Sequence, residues 1–270
     1  MKKNTWWRTI VSVIIALLHI IPIYITLVAS VTRYGDFGSY LKIPKRIFLE
    51  NFSIAFKSGN MITSFINTMI ITGVSVAFII FLGAMAAYPL SRSSTKFNRT
   101  ILSLILAVMM IPALSLLVPL VTLVASFKGT STYWAIILVQ ITFQLPLSIF
   151  LYANFIKTIP KELDEAATLD GCSIYMIFYR IILPLLKPVT ATVVILTGVA
   201  VWNDYQFSLF FLQKAKMWTL PLAIGSFFGE QGSNPNVAAA AALMAILPLT
   251  ILYIFLQKYF VQGMVDSAIK

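Results

Sequence analysis

Long apolar segments alternate along this chain with short polar connections. A run of about 18 or more largely apolar residues can cross the hydrocarbon core of a bilayer as a helix. A helix also satisfies its backbone N–H and C=O groups with internal hydrogen bonds, because lipid offers them no hydrogen-bond partner. The pattern predicts six such spans, at about residues 10–31, 62–90, 101–127, 133–156, 189–211 and 237–260. We therefore expect an all-α, multi-pass membrane protein with six transmembrane helices and one membrane domain over residues 1–270.

Prolines lie near the middle of the third and fourth predicted spans. Pro112 and Pro119 fall in the third span, and Pro146 falls in the fourth. Proline lacks a backbone N–H and its ring crowds the preceding turn, so it kinks a helix. Neighbouring helices in a membrane bundle tolerate such kinks. We expect bends at these positions.

Composition excludes an ordinary soluble domain. Hydrophobic residues make up 59% of the chain and charged residues only 11%, whereas soluble domains carry about 25% charged residues. The formal net charge is +11, but no basic-aromatic stripe or nucleic-acid-binding motif accompanies it, so nucleic acid is not expected as a partner. A single cysteine excludes an internal disulfide and a multi-cysteine metal site, and we expect no metal ligands.

Basic residues predict the orientation, because Lys and Arg concentrate in the cytoplasmic loops of membrane proteins. Twelve of the 20 lie inside if the N-terminus is cytoplasmic, including the cluster Arg92, Lys96 and Arg99. With six spans, the C-terminus is then also cytoplasmic. The connection 157–188 would face the cytoplasm, and the connections 32–61 and 212–236 would lie outside.

The cytoplasmic connection contains a concentrated acidic stretch, ELDEAATLDG, at residues 162–171, with four of the nine carboxylates in the chain. Negative charge in the first turn favours the positive end of a helix dipole. Gly171 suits the left-handed residue that follows a helix. These features predict a short helix of about 11 residues outside the bilayer. No nucleophile, histidine or metal ligand accompanies the carboxylates, so we expect no catalytic residue. A surface helix that merely links two spans is the competing interpretation.

The same stretch carries a longer pattern. Glu165, Ala166 and Ala167 are followed after three residues by Gly171, and nine further residues precede Ile181-x-Leu183-Pro184. This spacing resembles the EAA loop of binding-protein-dependent ABC importer permeases. The resemblance implies a type I ABC importer permease fold. It also implies that this loop is the coupling helix, which in that family sits in a groove of the ATP-hydrolysing subunit. The residues implied in this coupling contact are Glu165, Ala166, Ala167, Asp170, Gly171, Leu183 and Pro184.

Later segments resemble the carbohydrate branch of that family, particularly the second permease of maltose-type sugar importers. Trp202-Asn203-Asp204-Tyr205 looks like a segment of that branch, and Gln262 and Gly263 match a tail that contacts the ATPase pair. The resemblance implies a sugar importer in the cytoplasmic membrane. Its partners would be a second, homologous permease in a heterodimer, two ATP-binding subunits and an extracytoplasmic substrate-binding protein, all within membrane lipid. No cofactor would bind this chain, since ATP and Mg would bind the ATPase.

Several polar or aromatic side chains fall inside or beside the predicted spans, where they are costly and often functional. The candidates for a substrate pathway are Asn67, Gln140, Gln144, Trp202, Asn203, Asp204 and Tyr205. Hydroxyl-binding groups beside aromatic rings suit a sugar. Hydrogen bonding between helices explains the same residues, and both interpretations stay open.

Three other functions compete with a sugar importer permease. An ABC importer permease for a non-sugar solute has the same loop. An ATP-independent secondary transporter would need intramembrane ionisable relays and usually internal repeats, and neither is evident. A membrane-embedded enzyme would need a clustered nucleophile or metal site. The sequence contains no G-x4-G-K-[ST] phosphate loop, so ATP hydrolysis is expected on a separate subunit.

Overall fold

The computed structural model describes residues 6–36, 38, 40–58, 60–228 and 234–268, with side chains described as far as residue 255 and at 257. This part of the chain is helical and contains no β-strand. Its α-helices are, in chain order, α1 (Trp6–Ser30), α2 (Glu50–Ser58), α3 (Met61–Arg92), α4 (Lys96–Met109), α5 (Leu117–Ser126), α6 (Tyr133–Ile156), α7 (Glu162–Leu169), α8 (Ile174–Ile177), α9 (Leu183–Leu185), α10 (Lys187–Trp202), α11 (Gln206–Phe211), α12 (Leu220–Gly225) and α13 (Pro235–Ala268).

Four of the described helices are long and apolar enough to cross a membrane. They are Trp6–Ser30, Met61–Arg92, Tyr133–Ile156 and Pro235–Phe255. Two bent pairs raise the number of candidate spans to six, if each pair is one span. The predicted all-α membrane fold is confirmed, and the two bent pairs correspond to the third and fifth predicted spans.

The third span is broken more sharply than a proline kink. Its two halves, Lys96–Met109 and Ala113–Ser126, meet at an angle of 87°. Pro112 lies at the break in an extended conformation, with φ −61° and ψ 119°. It cannot donate a backbone hydrogen bond to the preceding turn. In contrast, α6 continues without interruption through Pro146.

The fifth span differs from its predicted range, 189–211. Its second half, α10, begins at Lys187, ends at Trp202 and is bent by 74° from the segment Ile174–Leu185. Beyond Trp202, the Asp204 carboxylate accepts hydrogen bonds from the Phe207 and Ser208 N–H groups, at 3.2 and 2.9 Å. Those N–H groups belong to the first turn of the short helix α11. Because the Asp204 side chain caps them, the chain begins a new helix here and does not extend α10.

The described residues divide into two compact units, and the predicted single domain stays a prediction. The first unit comprises Met1–Phe65 and Leu220–Pro248. Within it, the Asn51 amide donates to the Ser30 and Thr32 carbonyls at 2.9 and 2.8 Å, and the Asn236 amide donates to the Ala29 carbonyl at 2.9 Å. Two buried asparagines therefore bind carbonyls in the last turn of α1, which lack partners within the helix, and the carbonyl of Thr32 just after it.

The second unit comprises Ile66–Thr219 and Leu249–Lys270. Its buried core includes Ile79, Tyr152, Ile156 and Ile182. Helices α3 and α6 approach closely in this unit, because a Cβ added at Gly83 would collide with the Ser148 side chain. The Ser148 hydroxyl also donates to the Ile79 carbonyl at 3.1 Å. The C-terminal ends of α3 and α6 lead directly to the candidate site.

Candidate coupling site and polar clusters

Helix α7 is the short helix predicted from the acidic stretch. It comprises eight residues, Glu162–Leu169, with Glu162, Asp164 and Glu165 in its first turn. It is shorter than the predicted 11 residues because its regular hydrogen bonding stops before Gly171. Gly171 has φ +80°, which suits glycine because it has no Cβ.

Two backbone hydrogen bonds close the C-terminus of α7. The Gly171 N–H donates to the Thr168 carbonyl at 3.0 Å, and the Cys172 N–H donates to the Ala167 carbonyl at 2.9 Å. This pair of bonds around a left-handed glycine is a Schellman motif. The helix therefore has a defined end and a sharp change of chain direction after it.

Burial divides α7 into two faces. Asp164 and Ala167 are three residues apart and share the inward face, where Ala167 is 5% exposed and belongs to the core of the second unit. The opposite face carries exposed residues, and we call it the outward face: Glu162, Glu165, Ala166 and Leu169. Helical spacing of three and four residues places these four side chains together. Leu169 is 89% exposed.

The other predicted coupling residues lie around this helix. Asp170 and Gly171 are exposed at its C-terminal end. Leu183 is half-buried and packs against the core of the second unit, whereas Pro184 is exposed in α9. Their predicted role in contacting an ATPase stays a prediction.

A cluster that sequence reasoning missed holds the inward face of α7. Arg92 Nη2 lies 2.8 Å from Asp164 Oδ2, in an ion pair rather than a well-aligned hydrogen bond. The Tyr88 hydroxyl donates to Asp164 Oδ1 at 2.6 Å. Arg92 Nη1 also donates to the Ile156 and Ile159 carbonyls, at 3.2 and 2.8 Å. We call Tyr88, Arg92 and Asp164 the clamp. It connects α7, the end of α3 and the end of α6.

Aromatic packing supports the clamp from the following segment of chain. The Tyr88 and Phe178 rings lie 5.4 Å apart, in a tilted arrangement. Phe178 begins a π-helical turn, Phe178–Ile182, in which Phe178 and Ile182 are buried. The return of the chain toward α10 is thus packed against the same tyrosine that contacts α7.

Asn67, a predicted pathway residue, is bonded within the chain. Its side chain is 2% exposed. Its amide nitrogen donates to the Lys216 and Trp218 carbonyls, both at 2.9 Å, and its side-chain oxygen accepts from the Tyr133 hydroxyl at 2.6 Å. Both donor hydrogens therefore have partners, and the arrangement anchors the segment around residues 216–218.

The structure brings two further candidates, Gln140 and Asp204, together. Asp204 lies beyond the last residue of α10. Burial raises the pKa of its carboxyl group, and hydrogen bonds from Ser208 and from the Phe207 N–H oppose that rise. Gln140 also lies near enough to lower this pKa, although its amide nitrogen has no hydrogen bond of ordinary geometry. The Asp204 carboxylate oxygens accept hydrogen bonds from N–H groups in the first turn of α11.

The remaining pathway candidates are spread out. Gln144 lines a mostly apolar cavity of about 1080 Å³ beside α6. Trp202 is buried, Asn203 is exposed with its amide donating to the Val199 carbonyl at 3.0 Å, and Tyr205 is 42% exposed. Their role in a substrate pathway stays a prediction. The predicted tail contacts, Gln262 and Gly263, lie outside the residues whose side chains are described.

Residues 79–266 match the family described as "Binding-protein-dependent transport system inner membrane component". The chain is 46% identical over 263 residues to the melibiose/raffinose/stachyose import permease protein MelC of Bacillus subtilis (strain 168), covering 97% of this chain and 95% of the relative. It is 36% identical over 263 residues to the probable starch degradation products transport system permease protein AmyC of Thermoanaerobacterium thermosulfurigenes, covering 97% of this chain and 96% of the relative.

A solved structure has the same fold. It is the crystal structure of a bacterial ABC transporter involved in the import of the acidic polysaccharide alginate, with a TM-score of 0.80. Sequence identity is 22%, and the match covers 96% of this chain and 99% of that chain.

Fold and sequence together define a helical membrane permease with a short exposed helix between two of its candidate spans. The chain belongs to the binding-protein-dependent transport system inner membrane component family. It is thus a multi-pass permease subunit of an ABC importer, a transport component and not an enzyme.

Proposed function

We propose that this chain forms half of the translocation pathway of an ATP-driven importer for small oligosaccharides. Relatives named for sugars support this substrate class, including one named for melibiose, raffinose and stachyose at 46% identity and one named for arabinooligosaccharides at 32% identity. The first of these makes melibiose, raffinose and stachyose the leading candidate substrates. The other half of the pathway is a second, homologous permease.

The outward face of α7 is the observation that carries the coupling proposal. An exposed leucine, a glutamate and a small alanine stand on a short, well-terminated helix between two candidate spans. The apolar side chain gains by leaving water, and the alanine permits close approach of another surface. This face docks on an ATP-binding subunit.

The full complex then contains two permeases, two ATP-binding subunits and an extracytoplasmic binding protein. ATP and Mg bind the ATPase, and this chain binds neither. Both termini and α7 face the cytoplasm, so that α7 meets the ATPase there. Closure of the ATPase pair moves α7, the spans reorient from inward- to outward-facing, and the binding protein delivers the sugar.

Reconstitution of the complete complex in proteoliposomes tests this proposal. We expect uptake of radiolabelled melibiose, raffinose or stachyose that requires ATP and the binding protein. Maltotriose and arabinotriose serve as comparison sugars, and a preference for either would change the substrate but keep the class. Uptake of no sugar would overturn the oligosaccharide assignment, and uptake without the ATPase would overturn the importer mechanism.

A matched pair of variants tests the outward face. Glu165→Gln is expected to impair ATPase binding or sugar-stimulated ATP hydrolysis, while membrane insertion is retained. Glu50→Gln removes an exposed glutamate from the first turn of α2 and should leave both unchanged. Wild-type sugar-stimulated ATPase activity and uptake in Glu165→Gln would contradict the coupling role of this residue.

A further inference from the structure

We propose that the clamp transmits the movement of α7 to α3 and α6, and that Tyr88, Arg92 and Asp164 are therefore positioning residues for transport. This inference rests on the proposed function, because it concerns how force applied to the outward face reaches the spans. It adds a second, inward connection that the EAA pattern does not include.

Arg92 connects two spans. It is the last residue of α3, and its guanidinium donates to the carbonyl of Ile156, the last residue of α6, and to that of Ile159, three residues further on. The last carbonyls of a helix have no partner within that helix, and a cation is favourable there because of the helix dipole. One guanidinium therefore ties the C-terminal ends of α3 and α6 together.

Asp164 connects α7 to this pair of helix ends. One carboxylate oxygen contacts Arg92 and the other accepts from Tyr88, at 2.8 and 2.6 Å. Tyr88 and Arg92 are four residues apart, so they share one face of α3. Two contacts from successive turns of one helix restrain both the position and the rotation of the carboxylate.

Burial makes this connection different from a surface ion pair. The Arg92 and Asp164 side chains are only 12% and 17% exposed. Exposed pairs contribute little because water and salt screen them, whereas removal of one partner from a buried pair leaves the other charge uncompensated. The clamp therefore resists opening when α7 is pushed.

The residues proposed to bind the ATPase and the residues proposed to transmit the movement of α7 lie on opposite faces of this helix. Glu165 and Leu169 are exposed on the outward face, whereas Asp164 and Ala167 point into the second unit. A change at Asp164 can thus leave the docking face intact. We expect variants of the clamp to keep ATPase binding and ATP hydrolysis but to lose transport per ATP hydrolysed.

The test uses the complete complex in proteoliposomes and measures raffinose uptake and ATP hydrolysis in the same sample. Asp164→Asn keeps the shape of the side chain and removes its charge, and Asp164→Glu keeps the charge. We expect the number of sugars transported per ATP to fall about 2- to 30-fold in Asp164→Asn, with partial recovery in Asp164→Glu. Tyr88→Phe should lower the ratio less, and its effect should be non-additive with Asp164→Asn.

Matched controls remove comparable charges elsewhere. Arg92→Gln is compared with Arg99→Gln, because Arg99 is exposed and its guanidinium bonds only to the Ser94 carbonyl among the described contacts. Asp164→Asn is compared with Asp36→Asn, an exposed aspartate of the first unit. Both controls should keep the wild-type ratio. If wild-type uptake is present and both Asp164→Asn and Arg92→Gln keep the wild-type number of sugars transported per ATP, the proposed role of the clamp is wrong. The proposed function is not affected by that result.

A second measurement needs no sugar and so separates the clamp from the substrate assignment. Spin labels at Lys161 and Ser93, both exposed, report the distance between the start of α7 and the end of α3. In the wild type and in Arg99→Gln, we expect a narrow distribution of label-to-label distances that ATP binding leaves unchanged. In Asp164→Asn, we expect a broader distance distribution. Equal widths in Asp164→Asn and the wild type would contradict the proposal.

Discussion

The Tyr133 hydroxyl donates to the side-chain oxygen of Asn67 over 2.6 Å, and this bond joins the start of α6 to α3. The same asparagine donates to two carbonyls near residue 217. Its environment is therefore that of a structural anchor, and the sugar-pathway interpretation of Asn67 needs a test that separates stability from transport.

Asn67→Ala is expected to destabilise the complex more than Tyr133→Phe. The alanine leaves two carbonyls and a hydroxyl without partners, which costs about 2 kcal/mol or more in unfolding free energy, against about 1 kcal/mol for loss of the single Tyr133 bond. Thermal unfolding in detergent measures both. A raised KM for sugar uptake with unchanged thermal stability in Asn67→Ala would favour the pathway interpretation instead.

Gly83→Ala is expected to destabilise the packing of α3 on α6. The added Cβ would collide with the Ser148 side chain, and overpacking of this kind costs about 1–3 kcal/mol. Gly73→Ala is the matched control on the same helix, because a Cβ there has no neighbour within 4 Å. The control should be neutral or stabilising by up to about 1 kcal/mol. Thermal unfolding of the two variants compares them, and an equal melting temperature would contradict the close approach.

Hydropathy predicted the helical fold well, because span length and apolar composition follow directly from bilayer thickness. It placed the end of the fifth span too late, since Phe207–Phe211 continue the apolar run beyond the break at Asp204. The 87° bend near Pro112 was underestimated, because a proline indicates a kink but not its angle.

The EAA pattern predicted the exposed residues of the candidate site and Ala167 on its inward face, but it did not predict the clamp. The EAA pattern identified α7 and Gly171 because their residues follow one another at a fixed spacing along the chain. Arg92 and Asp164 are 72 residues apart and meet only through the packing of three helices. Two signals were present: Tyr88 and Arg92 four residues apart at the end of a span, and a scarce carboxylate next to the motif. Neither signal specifies its partner without the fold.

Gly171→Ala is expected to weaken the end of α7. Its φ of +80° is unfavourable for a residue with a Cβ by about 1–2 kcal/mol, although a Cβ there has free space. Transport per ATP in proteoliposomes should fall, with less effect for Gly171→Asn, since asparagine tolerates this conformation. Gly35→Ala has a similar φ of +89° in the first unit and serves as the control for strain alone. Equal losses in Gly171→Ala and Gly35→Ala would contradict a specific role of the α7 terminus.

Leu169→Ser is expected to weaken binding of the ATP-binding subunit without destabilising this chain. Leu169 is 89% exposed, so its replacement removes little packing within the chain, and unfolding should change by less than about 0.5 kcal/mol. Burial of a leucine against a partner contributes about 1.5–3 kcal/mol, so the affinity should fall about 10- to 140-fold. Titration of the ATPase onto the permease pair in detergent measures this loss. Leu41→Ser, at an exposed leucine of the first unit, provides the comparison. Wild-type affinity in Leu169→Ser would place the ATPase contact elsewhere than on the outward face of α7.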